Sequence, residues 1–308
     1  MIIPYPSSVS PDTVVEFLPY EPLQVNPVPE GLVAKQVACG GGHRLALLED
    51  GSVVGWGANG YGQCDPPPGL VATQIAAGNA SSIAIREDGR VVEWGRWIGA
   101  GFSGQTPLAV MPEGLVATQI THSGNEHALA IREDGSVVGW GANGYGQCNP
   151  PPGLVATQIA AAIHCSFAIR EDGTVVGWGG NSNLQESMPS PLVATQIAAR
   201  ADKALVLKPD GSTAYYGYRC PRTYPGNDVV QIDNMGAGGI LLLNNKEVVC
   251  TTRYITGYAL DPWFVPGLKA SQVAIGGEFA LAIGSFEDDR PSRRKRAAWA
   301  AMERPLFL

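Results

Sequence analysis

The sequence predicts an all-β fold: a seven-bladed β-propeller closed by its own N-terminal strand. Three observations lead there. A unit of about 38 residues recurs along the 308-residue chain. Every copy reads as short strands joined by tight turns. The last copy lacks a strand that the N-terminus carries.

The clearest unit is residues 71–95, VATQIAAGNASSIAIREDGRVVEWG, and it returns at 116–141, 155–179 and 193–217, with an earlier copy at 33–57. The glycine of its Asp-Gly step falls at Gly51, Gly89, Gly135, Gly173 and Gly211, spacings of 38, 46, 38 and 38 residues. A degenerate sixth copy covers 229–250, and a seventh begins at Gln272. Within a copy, Ile83, Ile85 and Val91 alternate with smaller or polar residues, the period of a half-buried strand. Asp-Gly between two such runs predicts a hairpin with a type I′ turn. The fourth strand of each blade is expected in the Gly-Gln-Cys segment or the Pro-rich linker behind it. After Ile283 the seventh copy runs into Gly284–Asp289 and its Val-Val-Gly-Trp strand never comes. Asp12-Thr13-Val14-Val15-Glu16-Phe17 matches that strand, so the N-terminus is expected to complete the last blade. The domain reading is therefore a propeller over residues 1–289, with strand 13–17 in its last blade, and a basic tail over 290–308.

Gly42-His43-Arg44-Leu45-Ala46-Leu47 and Trp56-Gly57-Ala58-Asn59-Gly60-Tyr61-Gly62-Gln63 carry a pattern that resembles the repeat family of the regulator of chromosome condensation. The resemblance covers roughly residues 13–289. It implies a seven-bladed propeller. It implies no single function, because that family includes an exchange factor for a small GTPase, a plant photoreceptor, ubiquitin-ligase modules and an inhibitor of β-lactamases. The short period is most similar to the repeats of the propeller-type β-lactamase inhibitory protein.

Composition narrows the function classes. The formal net charge is −7, so no nucleic-acid partner is expected, since phosphate binding needs a basic face. No stretch approaches a membrane span, and residues 1–13 lack the basic and apolar regions of a signal peptide. A cytoplasmic protein is the simplest reading; a nuclear one is the alternative, through Arg293-Arg294-Lys295-Arg296 in the tail. The six cysteines contain no C-x-x-C pair and read as reduced structural thiols. The four histidines show no metal-ligand spacing, and there is no nucleophile elbow and no phosphate loop. The expectation is a non-enzymatic protein with no cofactor and no metal. Trp56, Trp94, Trp140 and Trp178 share one repeat position and are expected to pack between blades. The Glu-Asp pairs ahead of each turn glycine read as turn chemistry.

Comparison of the repeats with one another points to a binding face. Strands and Asp-Gly turns barely change from copy to copy, whereas the loop after the first strand and the loop after the Trp-Gly strand change a great deal. In an antiparallel blade those two loops share one end of the ring. The residues expected to meet a partner there are Arg96, Trp97, Ile98, Phe102, Tyr61, Tyr145, His43, His127, Asn59 and Asn143. The expected function is a scaffold, inhibitor or adaptor binding another protein. The alternatives are a structural subunit docked by its tail and an exchange factor for a small GTPase.

Overall fold

Alternation of apolar residues with a turn every 8–12 residues produces sheets here and nothing else. In the computed structural model the described residues are 13–17, 28–96, 108–124, 127–180, 188–201, 203–217, 220–234, 238–252, 262–276 and 280–286. No helix occurs among them, and hence none long and apolar enough to cross a membrane. Strand β1 (Val14–Phe17) precedes the first full unit, β2 (Gln36–Cys39), β3 (His43–Leu47) and β4 (Val53–Gly57). The second is β5 (Ala72–Ala77), β6 (Ser81–Arg86) and β7 (Val91–Gly95). A short β8 (Leu108–Ala109) edges the third, β9 (Gln119–His122), β10 (His127–Ile131) and β11 (Val137–Ala142). The fourth is β12 (Gln158–Ala161), β13 (Cys165–Ile169) and β14 (Val175–Gly179), and the fifth β15 (Gln196–Arg200), β16 (Lys203–Leu207) and β17 (Thr213–Gly217). The sixth is β18 (Val229–Asn234), β19 (Gly238–Leu243) and β20 (Glu247–Thr252). The seventh starts with the long β21 (Trp263–Ile275) and β22 (Ala280–Phe286).

The third strand of that seventh unit is β1, antiparallel to β22 in the register Val14↔Ile283 to Phe17↔Ala280. Seven blades thus stand in sequence, each with its first strand innermost. One side chain at a repeated position ties each inner strand to the next. The Oε1 atom of Gln36 accepts from the Ile75 N–H at 3.0 Å, Gln74 from Ile120 at 3.0 Å, and Gln119 from Ile159 at 3.1 Å. Gln158 accepts from Ile197 at 2.7 Å, Gln196 from Ile232 at 3.0 Å, and Gln231 from Val273 at 3.1 Å. Gln272 then accepts from Val37 at 2.9 Å, which completes the circuit.

The packing repeats in the same way. Ile83, Ile85 and Val91 of blade two lie in a core with Leu115, Ala117, Ile120, Ala128, Ala130 and Trp140 of blade three. Ala84 and Trp94, on the other face of the same blade, lie in a core with Leu45, Leu47, Val53, Ala72, Ile75 and Ala77. The middle strands are therefore buried on both faces, as β3, β6, β10 and β13 show. The alternation in the sequence marks large residues facing one neighbour and small residues facing the other, not the half-buried sheet that it suggested.

Two local expectations change. The Asp-Gly turns are not type I′. Gly51 has φ +83° and no positive φ is found at Asp50; Leu48 N–H bonds the Ser52 carbonyl at 2.9 Å and Gly51 N–H the Leu48 carbonyl at 3.0 Å. This is a type I turn followed by a left-handed glycine. Asp50 favours it because its Oδ1 accepts from the Ser52 N–H at 2.9 Å and the Ser52 hydroxyl at 2.6 Å. Among the described residues, the fourth strand expected in the Gly-Gln-Cys segment or the Pro-rich linker is also missing, as residues 58–71 and 143–154 show. Asn59 shapes residues 59–65 into a turn, with its Oδ1 accepting from Cys64 N–H at 2.9 Å, and Pro66, Pro67 and Pro68 offer no N–H to a ladder. Isolated bridges such as Ser136↔Val155 stand in its place.

The four tryptophans are buried between blades, as expected. Each indole N–H is received by the preceding blade. Trp94 and Trp178 donate to the Gln63 and Gln147 carbonyls, both at 2.9 Å. Trp140 donates to Glu93 Oε2 at 3.1 Å, and Trp56 to Glu16 Oε2 at 3.4 Å. Glu16 also pairs with the fully buried Arg44 at 2.6 Å. Removing one partner of such a pair leaves a buried charge alone, a loss of about 3–5 kcal/mol. Glu16→Ala is expected to lower the unfolding free energy by that order in urea titrations. The double change Glu16→Leu with Arg44→Leu is expected to recover much of it. Deleting residues 1–18 is expected to lower the melting temperature further; a truncated chain that melts with the full-length protein would show that the last blade holds without β1.

Candidate interaction face

Chain direction decides which loops share an end. Inner strands run toward the loops at residues 40–42, 78–80 and 162–164, and third strands run back toward the same end. The Asp-Gly turns lie at the other. At the first end two loops repeat one design. Asn59 Oδ1 accepts from Cys64 N–H and its Nδ2 donates to Asp65 at 3.0 Å, while Gln63 Oε1 accepts from Tyr61 N–H at 2.9 Å. In the third blade Asn143 Oδ1 accepts from Cys148 N–H, its Nδ2 donates to Asn149 at 2.9 Å, and Gln147 accepts from Tyr145 N–H at 2.9 Å. Each loop is held from inside and projects its tyrosine: Tyr61 is 56% and Tyr145 53% exposed. Each tyrosine meets a side chain of the next blade. The Arg96 guanidinium stands 5.3 Å from the Tyr61 ring centre, and the His164 ring 4.5 Å from that of Tyr145.

The expected site residues separate accordingly. Tyr61, Tyr145 and Arg96 come together at the surface in two clusters. Asn59 and Asn143 are loop-shaping residues whose side-chain oxygens are already committed. Trp97, Ile98 and Phe102 lie outside the described residues. His43 and His127 do not belong to the surface: both are fully buried. The cause is polar chains that link neighbouring blades. The Ser82 hydroxyl donates to the Gln63 carbonyl at 2.8 Å, so it accepts from His43 Nε2 at 2.9 Å. Ser166 donates to Gln147 at 2.8 Å and accepts from His127 Nε2 at 2.8 Å. Cys64 and Cys148 fill the space over Gly55 and Gly139, where a Cβ would lie 2.5 Å from the Cys64 carbonyl oxygen and 2.6 Å from Cys148 Cα. Burial pushes the Cys64 thiol up to about 11 and the Cys148 thiol to about 12.

Two further charged residues belong to this end: Arg200, which the repeat comparison places on the variable face, and Asp233, which it passed over. Both stand at the axial mouth of this same end. An added Cβ on Gly124, in blade three, would lie 3.5 Å from the Arg200 guanidinium, which belongs to blade five. The arginine therefore reaches across the mouth of the ring. Asp233 is buried and accepts from the Ile275 and Asn234 N–H groups at 2.8 Å each; burial raises its carboxyl to about 6. The signal for both lay in the sequence: Asp233 is a charge where most other copies carry alanine, and Arg200 is one where Gly40, Gly78, Ser123, Ala162 and Gly276 stand.

With this geometry in view, comparison with known proteins is decisive for the fold. The family model for the regulator of chromosome condensation (RCC1) repeat matches residues 34–63 and 118–147, the two stretches that run from a ring glutamine to the glutamine of the tyrosine loop. These two stretches are RCC1 repeats. Over 44 residues, 14% of this chain, the sequence is 52% identical to the RCC1 domain-containing protein RUG3, mitochondrial, of Arabidopsis thaliana; that stretch spans a tenth of the relative's length. Among solved structures, yeast Prp20p (Saccharomyces cerevisiae) superimposes with a TM-score of 0.66 at 20% identity, covering 86% of this chain and 85% of its own. Human WBSCR16 does so at 0.64 and 18%, covering 81% and 86%. At these identities the likeness is one of RCC1-type propeller fold.

The buried histidines, which lie within the two matched RCC1 repeats, make this ring sensitive to acid. Burial, helped by the Arg44 charge, lowers His43 to about 4; burial, with His164 beside it, lowers His127 to about 3. The unfolded chain protonates these rings near pH 6.5. The stability they contribute is therefore present above pH 6.5 and is lost as pH falls from 6.5 toward 4, by about 1.4 kcal/mol per pH unit for each ring. Urea midpoints are expected to fall across that window, and His127→Gln is expected to flatten the slope.

Proposed function

We propose that this chain is a non-enzymatic protein-binding propeller whose partner docks on the end bearing Tyr61, Arg96 and Tyr145. One observation carries the reading. Two tyrosines, each more than half exposed, are projected by two loops that repeat the same internal hydrogen bonds, so the rings are held out on a rigid frame. Exposed aromatic side chains with little freedom to lose, next to arginine, are what interface hot spots are made of. Prp20p, which shares the fold, is described with its binding to Gsp1p and histones and has been seen bound to Kap60. In this reading the chain acts by binding and carries out no chemistry. The titratable groups near the face support it: His43 and His127 are committed to blade-to-blade bonds, and the Cys64 and Cys148 thiols are pushed up out of the reactive range.

The test begins with affinity capture on the full chain and identification of what is retained. Tyr61→Ala with Tyr145→Ala is expected to weaken binding of the captured partner by about 2 kcal/mol or more. The melting temperature should hardly move, because neither ring belongs to a core. Trp97→Ala is expected to act the same way through the lengthened loop of the second repeat. Variants that bind as well as the parent chain would overturn the choice of face.

A further inference from the structure

We infer that this face recognises carboxylates: its protein partner is acidic where it touches the ring, with Arg200 at the axial mouth and Arg96 at the rim as the two anchoring cations. The inference rests on the partner-binding reading above and names the chemistry of that partner. Among the described residues neither guanidinium has a carboxylate within ion-pair distance. Arg200 is largely withdrawn from water and lies over Gly124; its guanidinium makes no hydrogen bond to a described residue, and the acid whose charge it feels, Asp233, has both carboxylate oxygens taken by the Asn234 and Ile275 N–H groups, so the fork of donors is open to a further carboxylate. Arg96 is half-buried, fixed by its own N–H to the Ala80 carbonyl at 2.8 Å and by the Tyr61 ring, again with its fork unspent. A guanidinium held in place and partly desolvated favours a bidentate carboxylate strongly. The acid that could compete at the rim, Asp65, is engaged by Asn59.

Charge at the other end gives the orientation. The Asp-Gly turns carry Glu49-Asp50, Glu87-Asp88, Glu133-Asp134 and Glu171-Asp172, acids that outnumber Arg86, Arg132 and Arg170 beside three of the pairs. Backbone N–H donors from Ser52, Ser136 and Thr174, joined by the Ser52 and Thr174 hydroxyls, hold Asp50, Asp134 and Asp172 below the usual carboxylate range. An acidic partner is repelled from that end and drawn to the arginine end, which sets its approach. A long polyanion meets the net charge of −7 instead, so a protein patch of a few carboxylates fits better than nucleic acid.

Fluorescence anisotropy on the full chain with labelled octaglutamate tests this, with octalysine and a single-stranded thymidine octamer as controls. Octaglutamate is expected to bind and to weaken about tenfold or more as salt rises from about 50 to about 300 mM. Arg200→Gln and Arg96→Gln are each expected to weaken it about tenfold, while Arg86→Gln, at the opposite end, leaves it unchanged. Melting curves accompany each variant; Arg96 belongs to none of the cores, so Arg96→Gln carries the test if Arg200→Gln unfolds. Binding equal in Arg96→Gln and the parent chain would overturn the inference, as would tighter binding of the thymidine octamer or complete displacement of the peptide by millimolar inorganic phosphate. A captured partner that depends on Tyr61 and Tyr145 but not on Arg96 or Arg200 would sink the carboxylate inference and leave the binding face standing. A partner indifferent to all four would remove both.

Discussion

One hydrogen bond organises this molecule: a glutamine side-chain oxygen accepting a backbone N–H from the neighbouring inner strand. An inner strand at the axis of a ring has a free edge, and its N–H groups need acceptors once they are out of water. Gln36, Gln74, Gln119, Gln158, Gln196, Gln231 and Gln272 supply one acceptor per blade. Gln36 and Gln231 also return a donor to the same residue's carbonyl, at 3.1 Å each. A glutamine is long enough to span the gap between neighbouring strands that splay apart. The last of the seven bonds joins the seventh blade to the first, so the circuit holds only at one blade number and one radius.

Everything outward of the axis follows from stacking at that radius. Each interface receives branched residues from one blade and alanines with a tryptophan from the next, so neighbouring surfaces interlock. The indole N–H is the polar remainder, and two solutions satisfy it. Where the preceding blade carries a Gly-Gln-Cys turn, in blades one and three, a glutamine carbonyl accepts it. The turn fits because Gly55 and Gly139 leave room for it. Where that turn is absent, in blade two and in the β1 strand, glutamate stands at the glycine position and its carboxylate accepts instead. Glu16 and Glu93 are thus equivalent residues in two different blades, and Arg44 adds a buried charge that Glu16 meets at 2.6 Å.

The same economy separates the two ends of the ring. Asp-Gly turns are bound to their own backbone and repeat with little variation, which leaves them acidic and uniform. The other end is assembled from loops that differ, on a frame whose Asn and Gln side chains are internally bonded. Variation there changes what is displayed without loosening what holds it. Tyrosine rings stand there against Arg96 and His164, with Arg200 and Asp233 at the centre, so that end is aromatic and carries its arginines next to acids already engaged by N–H donors.

The repeat period, the strand content, the burial of Trp56, Trp94, Trp140 and Trp178, and the match of residues 12–17 to the missing strand were all legible in the sequence. They are local patterns copied along the chain, and a copied pattern constrains its neighbours. The distinction between display and burial was not legible. His43 and Tyr61 both fall in loops or strand ends that vary between repeats, yet one is buried and the other exposed. What separates them is a serine 39 residues away, Ser82, whose hydroxyl meets the His43 ring only when two blades are stacked. Arg200 is the converse case. Its repeat marks it only as a charge among small residues, and its place at the axial mouth comes from reaching past blade four to Gly124. Sequence order records contacts within a blade, whereas contacts between blades and across the axis depend on distances that exist only once the ring is formed.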